Sequence, residues 1–454
     1  MFSPKSIRTV KPSFFALWVI FLFAGCQFDT QGIEGSPDSG IIDGSADREI
    51  TDVFIQNCNE GEKRCKSDPP RVEICENDEW FAEEMCEFAC TSQPQPRCGD
   101  PAFQNGIQNS WLDTNEGNFI PDNSASVVIN TDQQSFTING APANISSNIL
   151  DQQAPGTPEI MWVTFNSVLI HEEVTIRVTG SRALALGSKN DLQIFGKVEA
   201  GGYGRIPGPG GWRPSDGTGR GGDGQGEDPL GQGAGGGGGY LAGGGKGGSS
   251  GINSSGGAGG EGYGASTLNT LVGGSGGGAA SNAETETGNG IGGGGGGAIM
   301  LFSRGEISVG PNGYINVGGG GGRQGSTAKS GGGGGSGGAI LIEAPRIKIL
   351  GVLAANGGGG GGSYVSSDEH GENGRPGAEP ASGGNSGGAG GAGTVLSGQN
   401  ASADFGEYPG GGGGACGRIR LHKIFAPIFE EGSHQATISP DRTVAPVVGE
   451  LRIE

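Results

Sequence analysis

Short apolar segments alternate with long glycine runs through the second half of this chain. The stretch GGGGGSGGAILIEAPRIKILGVLAANGGGGG, residues 331–361, shows the pattern, because two runs without side chains enclose a segment as apolar as a buried strand. Glycine accounts for 101 of the 454 residues, about three times its usual share. Any fold of this chain must therefore either build glycine into its framework or carry it as a spacer.

The apolar segments share a common pattern. Each begins with two apolar residues two positions apart, turns at a polar corner, and repeats such a pair before it runs into glycine. The aligned residues are Leu184, Leu186, Leu192, Ile194, Val198 and Ala200; Ile299, Leu301, Ile307, Val309, Ile315 and Val317; Ile340, Ile342, Ile347, Ile349, Leu353 and Ala355; and Ile419 and Leu421. A period of two predicts strands with one buried face. Three short strands per repeat predict an all-β fold, a parallel β-helix or β-solenoid, over residues 99–454.

Further segments extend this prediction in both directions. Residues 127–132, 135–139 and 174–180 show the same alternation and are predicted to be earlier coils, and residues 436–440 and 449–454 to be closing strands. A glycine is expected at the same corner of each repeat, where the chain turns: Gly196, Gly310 and Gly351. An antiparallel sandwich stays open as the alternative, because Asn-Gly pairs at 139–140 and 312–313 are hairpin signals.

The glycine-rich excursions at 203–290 and 362–410 are either disordered or ordered by their own hydrogen bonds. Burial of six apolar side chains in a coil contributes about 9–15 kcal/mol, whereas ordering each backbone residue costs about 1–2 kcal/mol. The strands alone therefore cannot order the excursions. Bonds between glycines, each worth about 0.5–1.5 kcal/mol, could do so, since extended chains pack sideways where no side chain intervenes.

Two resemblances bear on these excursions. AGGGGGYLAGGGKGG (234–248) and SGGAGGEGYG (255–264) resemble the glycine-rich region of the anaplastic lymphoma kinase receptor family, which implies a polyglycine-II-like lattice. The repeats, together with GGGGGACGRIRL (410–421), resemble uncharacterised glycine-rich bacterial surface lipoproteins with a β-helix-like repeat. Neither resemblance carries a functional residue to this chain.

The N-terminus has the features of an export signal. Basic residues precede FFALWVIFLFAG (14–25), which is too short to span a bilayer. The end of residues 1–25, Phe23-Ala24-Gly25-Cys26, resembles a bacterial lipoprotein signal, which implies cleavage before Cys26 and its lipidation. By the same resemblance, Gln27 favours the outer membrane. An ordinary secretory signal is the alternative.

Residues 26–57 are acidic, rich in Gly, Ser and Asp, and predict a flexible tether. The next segment, 58–98, contains six cysteines: Cys58, Cys65, Cys75, Cys86, Cys90 and Cys98. So short a segment cannot bury enough apolar surface to fold alone, and export permits oxidation, so disulfides are expected. Zinc is disfavoured, because the segment has no C-x2-C pair and no His. Spacing does not choose the pairing.

No motif predicts an enzyme. NTD (130–132), RIK (346–348) and EHG (369–371) resemble three motifs of polygalacturonase-type hydrolases, but their order differs from that family's and its Asp-Asp pair is absent. The net charge of −20 and the lack of a basic cluster argue against nucleic acid as a partner. We therefore expect no catalytic residue, with a carbohydrate-active β-helix enzyme, a lyase or hydrolase, as the alternative.

No metal or cofactor is expected either. The loop with Asp368, Glu369 and Glu372 could bind calcium weakly but reads better as a solvated loop. The histidines, His171, His370, His422 and His434, show no ligand spacing. Cys416 lies between small residues and is predicted to be a buried filler rather than a nucleophile.

These features together predict a lipid-anchored protein of the outer membrane or cell surface, with a structural or adhesive role. Its expected partners are the membrane, through Cys26, and glycans or other envelope proteins. A flat glycine lattice with scattered aromatic residues would favour binding or scaffolding, and the excursions contain Tyr203, Trp212, Tyr240 and Tyr263. A row of acidic and basic side chains on one face would instead favour the enzyme.

Overall fold

The computed structural model describes residues 58–113, 117–226, 232–251, 253–284, 288–326, 329–363, 369–402, 408–425, 436–445 and 447–454. Their secondary structure is β-strand apart from the 3-10 helix Asn109–Asp113. The fold is therefore all-β, as predicted.

The strands are numbered in chain order. Those up to the first large sheet are β1 (Lys63–Ser67), β2 (Pro70–Glu76), β3 (Glu79–Met85), β4 (Ala89–Thr91), β5 (Arg97–Gly99), β6 (Pro101–Ala102), β7 (Ser126–Asn130), β8 (Ser135–Ile138), β9 (Ala141–Ala143) and β10 (Asn148–Leu150). Next are β11 (Ile160–Phe165), β12 (Val168–Ile170), β13 (Thr175–Thr179), β14 (Ala183–Ser188), β15 (Leu192–Ile194), β16 (Lys197–Glu199), β17 (Ala298–Ser303), β18 (Glu306–Val309) and β19 (Tyr314–Asn316). The last are β20 (Ala339–Glu343), β21 (Arg346–Ile349), β22 (Val352–Ala354), β23 (Arg418–Lys423), β24 (Thr437–Ser439), β25 (Val448–Glu450) and β26 (Arg452–Ile453).

Three large sheets collect these strands in an order that repeats along the chain. The seven-stranded sheet runs β10-β11-β14-β17-β20-β23-β25, the four-stranded sheet β12-β15-β18-β21, and the eight-stranded sheet β24-β22-β19-β16-β13-β7-β8-β9. Their pairs are parallel except β10–β11, β7–β8 and β8–β9. Three successive strands thus enter three different sheets before the chain returns to the first.

The strand register is the one that the repeats predicted. Leu184 pairs with Ile299, which pairs with Ile340, and the column continues to Ile419. The second and third strands of the repeats keep the same alignment. The aligned aliphatic residues from all three sheets meet in a single buried cluster, so like residues stack on like along the interior.

The central strands of the seven-stranded sheet are buried on both faces, whereas the sequence analysis predicted one buried face per strand. Every residue of β14, β17 and β20 is buried. A second apolar cluster covers the other face of these strands, with contributions from Phe103, Leu112, Tyr240 and Leu271. The prediction failed because these covering residues lie far away in sequence, on segments without an apolar period.

Three connections carry the chain from the third strand of one repeat to the first strand of the next: residues 200–297, 317–338 and 355–417. Their described residues form what we call the glycine block. The segment 234–239 lies inside it and donates backbone hydrogen bonds in three directions in turn. Ala234 and Gly237 donate to 248 and 245, Gly235 and Gly238 to 331 and 334, and Gly236 and Gly239 to 222 and 219.

The carbonyl groups of the same segment accept from further neighbours: from residues 257 and 260, from 412 and 415, and from 278. The bonds that occur in pairs recur every third residue, the period of an extended three-fold helix. A Cβ on Gly237 would lie 1.8 Å from the carbonyl oxygen of Gly413. Glycine is therefore required at this position by the contact between backbones, and described parts of both long excursions belong to the hydrogen-bonded framework.

The segment 135–139 and the glycine at the repeated corner differ from the sequence-based predictions. Residues 135–139 do not form an earlier coil, because β8 pairs antiparallel with β7 and β9. The hairpin between β8 and β9 turns at Asn139 (φ 51°) and Gly140 (φ 79°), the left-handed pair that a two-residue turn requires. At the repeated corner, Gly313 rather than Gly310 is equivalent to Gly196 and Gly351, because Lys197, Tyr314 and Val352 are in register and the second corner is longer.

The cysteine-rich segment is built on the antiparallel sheet β1-β2-β3. The predicted disulfides are present, and they join Cys58 to Cys75, Cys65 to Cys90 and Cys86 to Cys98. Close by, β6 pairs with β26, so the start of the 99–454 region meets the last residues of the chain.

Candidate functional site

An open groove of about 680 Å³ lies on the outer face of the eight-stranded sheet. Its floor is formed by side chains of β13, β16 and β19, and its rim by residues 201–207 and 372–376 of the glycine block. The site thus combines a strand surface with loops that the glycine block holds.

Strand alternation decides which side chains form the floor. Ile176, Val198 and Ile315 point into the buried cluster, so their neighbours along each strand point outward. Register then arranges the outward residues in two columns, Thr175, Lys197 and Tyr314 in one and Arg177, Glu199 and Asn316 in the other. Adjacent members of a column are about 5 Å apart, the spacing of parallel strands.

Glu199 is the fixed acidic group of the floor. The hydroxyl of Tyr314 donates to its Oε1, and the side-chain amide of Asn316 donates to its Oε2 at 3.1 Å. Burial and the neighbouring carboxylate raise the pKa of Tyr314 above its usual value, so the phenol keeps its proton and remains a donor. Both oxygens of Glu199 are therefore engaged on the side toward β19.

The second carboxylate of the groove lies on the rim. Glu372 pairs with Arg375 and also accepts from the backbone N–H of Ser382 at 2.8 Å. Partial burial opposes ionisation, but these hydrogen bonds outweigh it and lower the pKa of Glu372. The neighbouring Asn373 accepts backbone hydrogen bonds from Gly204 and Gly321 at 2.8 and 3.0 Å, which fixes the rim to the glycine block.

Tyr203 is the exposed aromatic residue of the groove. The residue is 64% accessible, and its backbone exchanges two hydrogen bonds with Ile206 across a tight turn. Gly204 within that turn has a φ of +50°, in the left-handed region that favours glycine. The ring is thus presented from a pinned turn, with a face free for stacking.

Two cations of the floor are unpaired. Arg177 and Lys197 are exposed and form no ion pair or side-chain hydrogen bond with any residue that the structure describes. The groove therefore offers free positive charge, an aromatic ring and amide groups, the types of side chain that bind polar ligands. Both of its carboxylates already accept hydrogen bonds, and the pKa of Glu372 is lowered, whereas a general acid needs a raised one.

The four aromatic residues of the glycine excursions have different surroundings. Tyr203 lines the groove, but Tyr240 is only 1% exposed and belongs to the second apolar cluster. The ring centroids of Tyr240 and Tyr263 are 4.7 Å apart, and both hydroxyls donate to backbone carbonyls at 2.9 Å. Trp212 is partly buried. Tyr240 and Tyr263 pack in the second apolar cluster, because backbone alone cannot cover the apolar outer face of the seven-stranded sheet.

The motifs that resemble a hydrolase have structural contacts. Asp132 accepts hydrogen bonds from Ser181 and lies against Arg182, while Thr131 is fully buried. Glu369 accepts from the backbone of Asn385, and Nδ1 of His370 accepts from the backbone of residue 324. These residues hold corners and loops of the fold.

The other residues considered in the sequence analysis, where the structure describes them, lie outside the groove. Cys26 and Asp368 lie outside the described residues. Cys416 is buried, and burial raises the pKa of its thiol to about 12, which fits the filler role. His422 is buried against Glu343 at 2.7 Å. In the described part of the chain, no three His, Cys, Asp or Glu residues are grouped so that they could hold a metal ion.

The sequence analysis missed the groove residues Arg177, Lys197, Glu199 and Tyr314. A signal was available, since these residues alternate with the aligned apolar positions and so occupy equivalent outward sites of neighbouring repeats. What the sequence could not show is the rim, because residues 372–376 reach the groove through the packing of the glycine block.

No protein-family model, curated protein or solved structure matches this chain. Among the described residues, no helix has the length and apolar character needed to cross a membrane. The function must therefore be argued from the groove and the framework that carries it.

Proposed function

We propose that this protein is a lipid-anchored, glycan-binding protein of the cell envelope, whose role is structural or adhesive rather than enzymatic. The observation that carries the proposal is the exposed ring of Tyr203, which stands on a pinned turn in the same groove as the unpaired Arg177 and Lys197. Sugar rings stack on aromatic faces, and their hydroxyl and acidic groups accept hydrogen bonds from cations and amides.

The framework belongs to the same proposal. We interpret the three parallel sheets as the sides of a β-solenoid, because successive strands visit each sheet once per repeat and stack in register. The glycine block corresponds to a polyglycine-II-like lattice, which is supported by the three-residue period of its hydrogen bonds. Such a framework suits a binding surface, since a preorganised site loses little entropy when a ligand binds.

Anchoring rests on the sequence. The residues before Cys26 resemble a lipoprotein signal, and two or more acyl chains on that cysteine would give stable attachment to a bilayer. The acidic segment 26–57 would then separate the groove from the lipid. We expect glycans and other envelope proteins to be its partners.

A carbohydrate-active enzyme is the second candidate, and one observation favours it. Arg177, Lys197, Glu199, Glu372 and Arg375 converge on a single groove, the row of charges expected of such an enzyme. We prefer binding because Glu199 and Glu372 already accept hydrogen bonds from neighbouring groups, and the raised pKa of Tyr314 keeps its phenol protonated, so that it is not available as a base at neutral pH.

The test uses the chain with Cys26→Ser, which we expect to leave the membrane fraction and be soluble. Affinity electrophoresis through gels that contain different polysaccharides should retard this protein, and Tyr203→Ala should remove most of the retardation. Phe81→Ala is the matched control, because Phe81 is an exposed aromatic residue in the disulfide-bonded segment. Free migration through every gel would refute glycan binding, and cleavage of any polysaccharide would establish the enzyme.

A further inference from the structure

The groove contains an oppositely charged pair that should form and does not. Arg177 on β13 and Glu199 on β16 are direct neighbours in register on adjacent strands, where opposite charges normally attract each other. No ion pair joins them, and Arg177 has no other partner among the described residues. A free guanidinium beside a carboxylate requires an explanation.

The explanation lies on the opposite side of Glu199. Tyr314 and Asn316 on β19 occupy one oxygen each, so the carboxylate is turned away from β13. Asn316 is itself held, since its amide also reaches the carbonyl of Gly374 at 3.4 Å and its Oδ1 accepts from the backbone N–H of Gly318 at 3.0 Å. The glycine block therefore braces the group that keeps Glu199 from Arg177.

Lys197 adds a second free cation. Its neighbours in register are Thr175 and Tyr314, neither of them a carboxylate. Lys197 and Arg177 are diagonal neighbours, so their Cα atoms are about 7–8 Å apart. Arg375 is neutralised by Glu372. The groove is still net positive, because Arg177 and Lys197 outnumber Glu199, whose donors Tyr314 and Asn316 are neutral. The whole chain carries −20, but distant charges are screened beyond about 8 Å at physiological salt.

The geometry points to a uronic-acid polysaccharide as the ligand of this groove, with its carboxylates on Arg177 and Lys197 and a sugar ring on Tyr203. Arg177 is the specificity-determining residue, because its planar guanidinium binds a carboxylate in a bidentate manner. Tyr314 is a positioning residue that acts through Glu199. This inference rests on the proposed glycan binding and narrows it to one class of glycan.

The experiment compares polygalacturonate with its fully methyl-esterified form, which keeps the backbone and removes the charge. Using the full chain with Cys26→Ser, we expect polygalacturonate to retard the protein and the ester to retard it far less. Arg177→Gln should weaken binding to polygalacturonate by about tenfold or more, because the bidentate, charge-assisted contact to a carboxylate is lost. Arg346→Gln is the control, since Arg346 is an exposed arginine at an outward strand position of the four-stranded sheet.

A second arm tests the positioning role. Tyr314→Phe frees one oxygen of Glu199 to approach Arg177, so binding of polygalacturonate should weaken about threefold, a modest coupling between neighbours. Adding Glu199→Gln to that variant removes the competing charge and should restore binding. A tyrosine that merely packs against the floor would show no such rescue, and circular dichroism would confirm that each variant is folded.

The outcomes distinguish a failure of this inference from a failure of the proposed glycan binding on which it rests. Equal retardation by the charged and esterified polymers, with Tyr203→Ala still abolishing it, would leave glycan binding in place and overturn the preference for uronates. Unchanged binding in Arg177→Gln would also overturn the inference. If no polysaccharide of any class retards the protein, the proposed function itself fails and the inference fails with it.

Discussion

The stacked strands and the glycine block are both closely packed, but they are stabilised in opposite ways. In the strands, aligned Ile, Leu and Val residues fill the interior, and stability comes from apolar surface removed from water. In the glycine block, backbones approach until a single added carbon would collide with a neighbouring carbonyl, and stability comes from hydrogen bonds in three directions. The strands depend on side-chain bulk, and the block depends on its absence.

This difference determines which positions of each region tolerate a substitution. It also explains where the side chains of the groove come from. Outward positions of the strands are free to carry polar side chains, which supply the floor with Arg177, Lys197 and Glu199. Glycine in the block has no side chain to offer, so function there is confined to loops such as 201–207 that leave the framework. Substitutions of opposite kinds should therefore damage the two regions.

A smaller side chain in the buried columns of the strands should cause the largest loss in the free energy of unfolding. Ile307 is fully buried between Leu192 and Ile347 in the column of β15, β18 and β21. Ile307→Ala should lower the free energy of unfolding by about 4 kcal/mol, because the cavity cannot close in a stacked column. Urea titration measures the loss. Arg346→Ala, on the exposed face of β21, should change it by less than about 0.5 kcal/mol, and equal losses would refute the dependence on bulk.

A larger side chain in the glycine block should cause the second-largest loss in the free energy of unfolding. Gly237→Ala places a methyl group 1.8 Å from the carbonyl oxygen of Gly413, so the backbones must separate, at a cost of about 3 kcal/mol. The matched control is Gly117→Ala, where nothing lies within 4 Å of the new carbon. The control should stay within about 0.5 kcal/mol of the parent protein. A neutral Gly237→Ala would show that the block is loosely packed.

High pH should weaken the contact between the two regions by a smaller amount. Burial raises the pKa of both Tyr240 and Tyr263 above the usual value near 10. The folded protein then retains protons that the unfolded chain releases, so stability is complete below about pH 10 and declines above it. At pH 10.5 each tyrosine should cost about 0.8 kcal/mol relative to pH 9.

The variant Tyr240→Phe measures the contribution of one tyrosine to this pH dependence of stability. It should be less stable at pH 8, because the carbonyl of Val272 loses its donor. Its further loss between pH 9 and pH 10.5 should nevertheless be smaller than that of the parent protein. Guanidinium unfolding at both pH values provides the comparison, and an identical loss in the two proteins would contradict the assignment.

The sequence predicted the strands and their register well, because a two-residue period and the stacking of like residues are local signals that repeat. It placed Leu184, Ile299 and Ile340 in a single column. It did not distinguish Tyr240, which fills an apolar cluster, from the exposed Tyr203. A glycine-rich segment has no period that distinguishes an inward ring from an outward one, so only the packing decides.

The groove was only half predictable for the same reason. Its floor follows from register, since Lys197 and Glu199 occupy positions equivalent to those of Tyr314 and Asn316. Its rim depends on Asn373, whose side chain accepts from Gly204 and Gly321, residues more than fifty positions away. No spacing in the sequence encodes such contacts between connections of different repeats.

Hydrogen exchange of individual backbone amides tests the central claim, that the glycine block is as ordered as the strands it covers. The chain with Cys26→Ser at neutral pH is suitable, with β17 and β20 as internal references. We predict that the amides of Gly235 and Gly238, which donate to residues 331 and 334, exchange as slowly as those references. Exchange of these glycine amides at the rate of an unprotected chain, while the strands stay protected, would contradict the account.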